Sequence, residues 1–129
     1  MRVTVPISVG ELLDKITILE IKAERIADPA KLANVRLELE ALAGLRRGLA
    51  LESAGIRGLI AELGQVNRRL WEVEDLLRDC ERAQEFGAEF IRLARAVYKE
   101  NDLRARLKRR LNEETGSDLV EEKSYSAVS

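Results

Sequence analysis

The stretch ISVGELLDKITILEIKAERI, residues 7–26, decides the predicted fold because it contains both a helix start signal and a helical core face. Ser8 and Glu11 form a capping box, in which the hydroxyl group and the carboxylate satisfy amide groups at the start of a helix. The helix is expected to end near Asp28 and Pro29, since the residue before a proline is pushed away from helical geometry. At about 100° per residue, one face forms a core stripe of Leu12, Ile16, Leu19, Ala23 and Ile26.

Two isoleucines of this helix, Ile18 and Ile21, lie well away from the core stripe and among charged side chains. Isolated surface isoleucines are common in soluble proteins, so the pattern has an ordinary explanation. The alternative is that a second element or a second subunit covers this face, with the charges of Glu11, Lys15 and Lys22 pairing along its edge. On that alternative, Ile18 and Ile21 are predicted interface residues.

After this helix, the sequence predicts a second helix and then a weakly helical region. Asp28 is placed to cap the second helix, with Pro29 at its first position, where a missing amide hydrogen is tolerated. This helix is expected to run to about Leu51. Glycines are frequent on both sides of Leu51, which predicts a turn near residues 52–55.

Two longer helices complete the predicted chain. The third covers about residues 56–84, and the fourth covers about residues 88–115, with Gly116 as its C-terminal stop. Residues 1–7 are predicted to form an extended lead-in. Residues 117–129 are predicted to form a docked or flexible tail, and the side chains expected to dock it are Leu119, Val120 and Tyr125.

The composition fits a single helical domain. A chain of 129 residues buries roughly two-thirds of its extended surface, which is enough for a core. Apolar residues make up 46% of the chain and charged residues 35%, with a net charge of -1, which is typical of a helical protein laced with surface charges. The predicted fold is all-α: an antiparallel bundle of three or four helices in one domain spanning residues 1–129.

Several kinds of chemistry are excluded by what the sequence lacks. There is no histidine, which removes the commonest general base and the commonest nitrogen ligand for metals. No phosphate-binding glycine loop, dinucleotide fingerprint or cysteine cluster is present, so no cofactor and no metal ligand are assigned. Cys80 is the only cysteine, which is typical of a reducing compartment, and the N-terminus resembles neither a signal peptide nor a membrane span. A cytoplasmic protein is expected.

The third predicted helix carries polar side chains beside its core stripe. Asn67, Trp71, Glu74 and Arg78 recur at helical spacing, so they share a face with the only tryptophan. One interpretation makes Trp71 a core anchor and Glu74 with Arg78 an ordinary surface ion pair. The other is a semi-buried polar cluster beside an aromatic wall, which would receive a ligand or the side chain of a partner.

The fourth predicted helix has a seam that changes from apolar to polar halfway along. The apolar residues of the seam are followed on the same face of the helix by Asn101, Lys108 and Asn112. We expect this helix to extend beyond the core, so that Lys108 is solvated, because lysine is rarely buried without a partner. If the seam is buried instead, Lys108 needs a carboxylate, and the candidates are Glu11, Asp14 and Glu74.

The run LRARLKRRLN, residues 103–112, is the only strongly basic segment, and Tyr98 and Trp71 are the aromatic residues placed to stack near it. Because the net charge is not basic, a solvated helix face is favoured over nucleic-acid binding.

Closely spaced acids suggest a magnesium site if the first and third helices abut. These acids are Glu72, Glu74 and Asp75, with Glu11 or Asp14 opposite.

The chain contains the sequence segments ISVGELLDKITILEIKAERI, LANVRLELEAL, LWEVEDLLR, FIRLARAVYKENDLRARLKRRLN and GSDLVEEKSY. In combination, and over nearly the whole chain, they resemble an uncharacterised family of small bacterial proteins, classed as a domain of unknown function. The resemblance implies a bacterial intracellular protein of helical character and supplies no activity, substrate or catalytic residue. With the helix faces, it selects these candidate ligand-binding residues: Glu11, Lys15, Lys22, Asn67, Trp71, Glu74, Arg78, Tyr98, Asn101 and Lys108.

Two classes of function are therefore expected. The leading hypothesis is a non-enzymatic interaction or assembly protein that forms a homo-oligomer, most simply a homodimer, through the face of Ile18 and Ile21. The rival hypothesis is a small helical-bundle enzyme or binding protein for an anionic ligand, a phosphate or a carboxylate, with magnesium assistance in one version. The expected partner is a second copy of the chain or another protein, and neither a membrane nor a nucleic acid is expected.

Overall fold

A computed structural model describes residues 1–124 and residue 126 of the chain. Tyr125, one of the predicted tail anchors, lies outside the described residues. The described part contains no strand and forms four helices: α1 (Val9–Arg25), α2 (Pro29–Arg47), α3 (Ala54–Ala83) and α4 (Ala88–Thr115). The predicted all-α class is confirmed.

Local signals in the sequence account for most of the helix ends. The Ser8 hydroxyl accepts a hydrogen bond from the Glu11 amide at 3.1 Å, and Asp28 accepts one from the Lys31 amide at 2.9 Å. Gly116 ends α4 with a φ of 68°, a left-handed conformation that glycine adopts without strain. The capping box is only half formed, because the Glu11 carboxylate is bound to a lysine of α4.

The connections around α2 differ from the prediction. Helix α1 ends at Arg25 and α2 ends at Arg47, both earlier than expected. The Ser53 hydroxyl accepts a hydrogen bond from the Ile56 amide at 3.2 Å and so caps α3. Gly55 therefore lies inside α3 and not in the turn before it, because a serine cap starts the helix there despite the glycine.

The long-range contacts establish the helix directions. On α1 and α4, Gly10 contacts Asn112 and Glu11 contacts Lys108, so these helices run antiparallel. On α1 and α3, Arg68 binds Glu24 and Glu72 lies near Arg25, so these two run in the same direction. Helices α3 and α4 form an antiparallel hairpin, and α2 packs only against α1 within the described residues.

Helix α1 is buried on two sides, and this explains the isoleucines that the core stripe left out. The predicted residues Leu12, Ile16 and Leu19 are buried outside the main hydrophobic cluster, where α2 covers them. Leu13 lies in that main cluster with residues of α3 and α4. Ile21 is only 2% exposed, so the chain itself covers it and it cannot serve as a free interface residue. The same side of α1 leaves Ile18 half-buried.

The two ends of the chain differ, because among the described residues polar contacts hold only the C-terminal tail. Residues 1–7 form no helix or strand and are exposed, as the extended lead-in requires. Leu119 and Val120 are also exposed, so apolar docking of the tail through these two residues is wrong. Charge holds the tail instead, since Glu121 binds a lysine and Glu122 binds an arginine of α4. In the described part of the chain, no helix has the length and apolar character needed to cross a membrane.

Candidate functional site

Asp14 is the centre of the buried polar contacts between the helices. Its side chain is 1% exposed, and its carboxylate accepts hydrogen bonds from two nitrogens of Arg104, with Nε at 2.9 Å from Oδ1 and Nη2 bound to Oδ2. Burial alone would raise the pKa of Asp14, but the hydrogen bonds from Arg104 and Asn67 outweigh it and hold that pKa below its ordinary value of 3.8. Asp14 is therefore an ionised carboxylate that fixes the side chains around it.

Asn67 of α3 is one of the side chains that Asp14 fixes. Its Nδ2 group donates to Asp14 Oδ1 and to the Thr17 hydroxyl, both at 2.9 Å, and Thr17 in turn donates to the Asp14 carbonyl at 2.8 Å. The residue is 4% exposed. Because both bonds go to the amide nitrogen, the amide orientation is determined and the Asn67 carbonyl oxygen is left as a free acceptor among the described residues.

Lys108 of α4 is buried next to Asp14, contrary to the prediction that it is solvated. It is 7% exposed, and its Nζ lies 2.6 Å from Glu11, 3.1 Å from Glu121 and 3.9 Å from Asp14. Burial lowers the pKa of Lys108, but hydrogen bonds to Glu11 and Glu121 outweigh it and raise that pKa above 10.5. Two of the candidate carboxylates, Glu11 and Asp14, do contact this lysine, and Glu74 does not.

Lys108 is buried because α1 begins directly against α4. The Gly10 amide donates to Asn112 Oδ1 at 2.7 Å, and the Val9 amide donates to the Ser117 hydroxyl at 3.2 Å. A Cβ atom at Gly10 would lie 2.5 Å from the Lys108 carbonyl oxygen, so only glycine allows this approach. The polar half of the α4 seam is thus more buried than its apolar half.

Beside this network lies an open groove of about 480 Å³ between α1, α3 and α4. This volume is in the range of roughly 300–1,000 Å³ that is typical of small-molecule sites. We call its polar side the floor; it is formed by Asn67, Asn101 and Arg104, which belong to or contact the Asp14 network. The apolar and aromatic residues that form its walls are Ile18, Ile21, Leu70 and Trp71. The charged residues are called its mouth; they are the half-buried Lys22 and the exposed Glu74, Asp75 and Arg78.

The cations of the groove differ in how their charge is compensated. Arg104 spends two of its N–H donors on Asp14, and its Nη1 has only a long bond of 3.5 Å to Asn101 Oδ1. Within the described residues, neither Lys22 nor Arg78 has a carboxylate at salt-bridge distance. The ion pair expected between Glu74 and Arg78 is not formed, although the two residues are one helical turn apart. The groove therefore offers two cations that lack an ion-pair partner and are called uncompensated below, beside the carboxylates of Glu74 and Asp75.

The whole chain, residues 1–129, matches one protein family. The chain belongs to DUF6165, a family of unknown function. The resemblance to an uncharacterised family is thereby confirmed. No curated protein and no solved structure is significantly similar to this DUF6165 chain.

In this DUF6165 protein the groove gathers eight of the residues selected from sequence. They come from three helices: Ile18, Ile21, Lys22, Asn67, Trp71, Glu74, Arg78 and Asn101. Glu11 and Lys108 lie in the adjacent buried network, and Lys15 is an exposed residue 3.6 Å from Glu11. Tyr98 is 61% exposed and lies outside the groove.

Three groove residues were not selected from sequence. Leu70 has an apolar side chain, which favours the core, and Asp75 was named as a magnesium ligand. Arg104 was grouped with the basic run, although its spacing from Asn101 and Lys108 places it on their side of α4. Asp14 was considered as a partner for Lys108 and as a magnesium ligand, but not as the centre of a network. Asp14 lies one turn before Ile18 and two turns before Ile21, so it shares their face of α1. This shared face was the signal in the sequence for its role.

The basic run is a solvated face only in part, since Arg106, Arg109 and Arg110 are exposed, and the acidic residues do not cluster as suggested. Arg104 and Lys108 are bound by Asp14 and Glu11, and Arg109 lies 3.0 Å from Glu122, so these three do not form a free cationic face. Within the described residues, no three acidic or cysteine side chains are close enough together to hold a metal ion. The magnesium site suggested by closely spaced acids is therefore not assembled in this part of the chain.

Proposed function

We propose that this protein binds a small organic anion in the groove between α1, α3 and α4. The observation that carries the proposal is the combination of a polar floor that buried contacts hold rigid and two uncompensated cations at the mouth. Asp14 orients Arg104 and Asn67 before any ligand arrives, which lowers the entropic cost of binding. Lys22 and Arg78 supply the positive charge that an anionic ligand requires.

Trp71 provides both part of the binding surface and the means to test it. It is half-buried in the groove wall and is the only tryptophan in the chain, so its fluorescence reports on this groove alone. We would titrate the protein with phenyl phosphate, phenylacetate, ribose 5-phosphate and the four nucleoside monophosphates, and repeat each titration by calorimetry. At least one of these anions is expected to bind and to change the Trp71 emission.

Matched variants separate groove binding from general attraction of anions. Arg78→Gln and Lys22→Gln remove the two uncompensated cations and are expected to weaken binding about ten-fold each. Arg36→Gln removes an exposed arginine of α2, a helix that does not contact α3 or α4 in the described residues, and is expected to change nothing. The proposal fails if none of the anions binds, or if binding is indifferent to Arg78 and Lys22.

Self-association as a homodimer is a second candidate function. The part of the α3–α4 hairpin nearest its turn, residues 76–98, exposes Leu76, Phe86, Ile91 and Tyr98. Ile91 and Tyr98 are two turns apart on α4, so they lie on one face of the helix, with the exposed Arg95 between them. The face of Ile18 and Ile21 is a weaker candidate because Ile21 is buried within the chain.

Sedimentation of the protein and of an Ile91→Asp variant tests this candidate. The unmodified protein is expected to sediment as a dimer and the variant as a monomer with unchanged helicity. Ile21→Asp would be uninformative, because a charge at a position 2% exposed unfolds the chain whether or not it dimerises. A monomeric unmodified protein would contradict the candidate.

We further propose that the protein acts in the bacterial cytoplasm. The family-like sequence segments and the single cysteine support this setting. Cys80 is buried and free, and a free thiol persists more readily where the surroundings are reducing.

A further inference from the structure

The order of chemical groups along the groove identifies a ligand class, and this inference rests on the proposed function. Groove residues of α3 follow one another at helical spacing: the amide Asn67, the aromatic Trp71, the carboxylates Glu74 and Asp75, and the cation Arg78. With a rise of about 1.5 Å per residue, this series extends over roughly 16 Å of the helix. A ligand lying along the groove therefore meets these groups in a fixed sequence.

The floor suits a group that both donates and accepts hydrogen bonds. Arg104 Nη1 and the Asn101 amide nitrogen are donors, while the Asn67 carbonyl oxygen is an acceptor with no partner among the described residues. A phosphate or carboxylate only accepts hydrogen bonds and would leave the Asn67 acceptor unpaired. Arg104 is also already neutralised by Asp14. The floor is thus complementary to the edge of a heterocycle, which presents donors and acceptors side by side.

The walls and the mouth suit the remaining parts of one molecule. Trp71 offers a flat aromatic surface on which a ring held at the floor would stack. Glu74 and Asp75 only accept hydrogen bonds, which matches hydroxyl groups. Arg78 lies beyond them on α3 as an uncompensated cation, which matches one phosphate group. Lys22 lies nearer Trp71, since the neighbouring residues Glu24 and Arg25 contact Arg68 and Glu72.

We propose that the groove binds a nucleoside monophosphate, with the base on the floor against Trp71, the ribose hydroxyls at Glu74 and Asp75, and the phosphate at Arg78. The order base, sugar, phosphate is the order of the amide, aromatic, acidic and basic groups along α3. A single arginine at this end and no magnesium-type cluster among the described residues suit one phosphate group better than a chain of several.

The test compares a whole nucleotide with its two halves. AMP, GMP, CMP and UMP are titrated against ribose 5-phosphate and against adenosine, with Trp71 emission excited at the red edge of the indole band, where the bases do not absorb, and with calorimetry in parallel. At least one nucleotide is expected to bind ten-fold or more tightly than either half, by about the contribution of one charged hydrogen bond. Equal affinity for ribose 5-phosphate would overturn the inference.

Two variants assign the ends of the ligand. Asn101→Leu is expected to weaken nucleotide binding about five-fold and to leave ribose 5-phosphate unaffected, because it removes only floor contacts. Arg78→Gln is expected to weaken nucleotide binding about ten-fold and to leave adenosine unaffected. Both variants are expected to fold, since Asn101 is half-buried and Arg78 is exposed, and circular dichroism checks this. The opposite pattern, with adenosine sensitive to Arg78, would overturn the assignment.

The outcomes distinguish failure of the nucleotide assignment from failure of the proposed anion binding. If phenyl phosphate or phenylacetate binds in an Arg78-dependent manner and no nucleotide does, the nucleotide assignment is wrong and the anion-binding groove stands. If no anion of either panel binds, the proposed function fails and the inference fails with it.

Discussion

Asp14 of α1 and Arg104 of α4 are joined by two parallel hydrogen bonds, although 90 residues separate them in the chain. The carboxylate is 1% exposed and the guanidinium reaches from it into the groove floor. The same pair therefore joins two helices and positions a binding group. An arginine is suited to this task because its planar fork matches a carboxylate and keeps further N–H groups free.

Replacing Arg104 is expected to destabilise the protein, because it leaves a charged Asp14 buried without its main partner. We predict a loss of about 3 kcal/mol in the free energy of unfolding for Arg104→Gln, at the lower end of the cost of breaking a buried ion pair. The lower end applies because Lys108 remains 3.9 Å from Asp14 and Arg104 is partly exposed. Urea unfolding followed by circular dichroism measures this loss.

The control for this prediction is the pair of Arg68 and Glu24, which also joins two helices through two hydrogen bonds but lies in solvent. Arg68→Gln is expected to leave the urea midpoint almost unchanged, since exposed ion pairs contribute little. Equal effects of the two substitutions would mean that burial of Asp14 is not the source of the stabilisation.

The stability of the fold is expected to fall at acidic pH because of Asp14. Its pKa in the folded state lies below the ordinary 3.8, so folding favours the ionised carboxylate. This stabilisation is complete above the unfolded pKa and disappears as the pH drops through the folded pKa. Unfolding experiments at a series of pH values should show that Asp14→Asn costs much stability near neutrality and little well below pH 3.8.

A direct titration checks the same prediction without a variant. The carboxyl carbon of Asp14, followed by nuclear magnetic resonance, is expected to titrate below 3.8. At alkaline pH the effect of Lys108 is the reverse, because its folded pKa is raised above 10.5. Its contribution is present below 10.5 and is lost as the pH rises through the folded value. An Asp14 midpoint above 3.8 would show that burial outweighs its hydrogen bonds.

The parts of the fold that depend on neighbouring residues were predictable from sequence. Gly116 and the caps Ser8 and Asp28 act within a few residues, so they set helix ends correctly. Helical periodicity likewise placed Asn67 and Trp71 on one face. The contact between α1 and α4 was not predictable in this way, because no local pattern indicates which distant helix a face will meet.

Lys108 shows why the remainder of the site was missed. From α4 alone, a lysine after an apolar seam indicates a helix that leaves the core. The structure buries it because Gly10 lets α1 approach, and because Glu11 and Asp14 then supply its charge partners. A buried ionic network of this kind is a property of three helices together, so single-helix patterns reveal its members but not their contacts.

The C-terminal tail is expected to detach when its acidic residues are neutralised. Glu121 lies 3.1 Å from Lys108 and Glu122 lies 3.0 Å from Arg109, while the apolar residues Leu119 and Val120 are exposed. Glu121→Gln combined with Glu122→Gln should therefore accelerate amide hydrogen exchange in residues 117–124. Exchange within α3 should not change.

Added salt should produce the same effect in the unmodified chain, because the Glu122 contact is exposed and easily screened. Unaltered exchange in both experiments would show that charge does not hold the tail.

Gly10→Ala is expected to destabilise the fold by forcing α1 away from α4. The added Cβ would lie 2.5 Å from the Lys108 carbonyl oxygen and 2.9 Å from Asn112 Oδ1, and backbone cannot move aside as a flexible side chain can. We predict a loss of about 1–3 kcal/mol in the free energy of unfolding, the usual cost of overpacking.

Gly58→Ala is the matched control, because Gly58 lies within α3 and nothing comes within 4 Å of its added Cβ. This change should stabilise the protein by about 0.5–1 kcal/mol through helix propensity. The two alanines should thus shift the thermal midpoint in opposite directions, and a stabilising Gly10→Ala would contradict the close approach that buries Lys108.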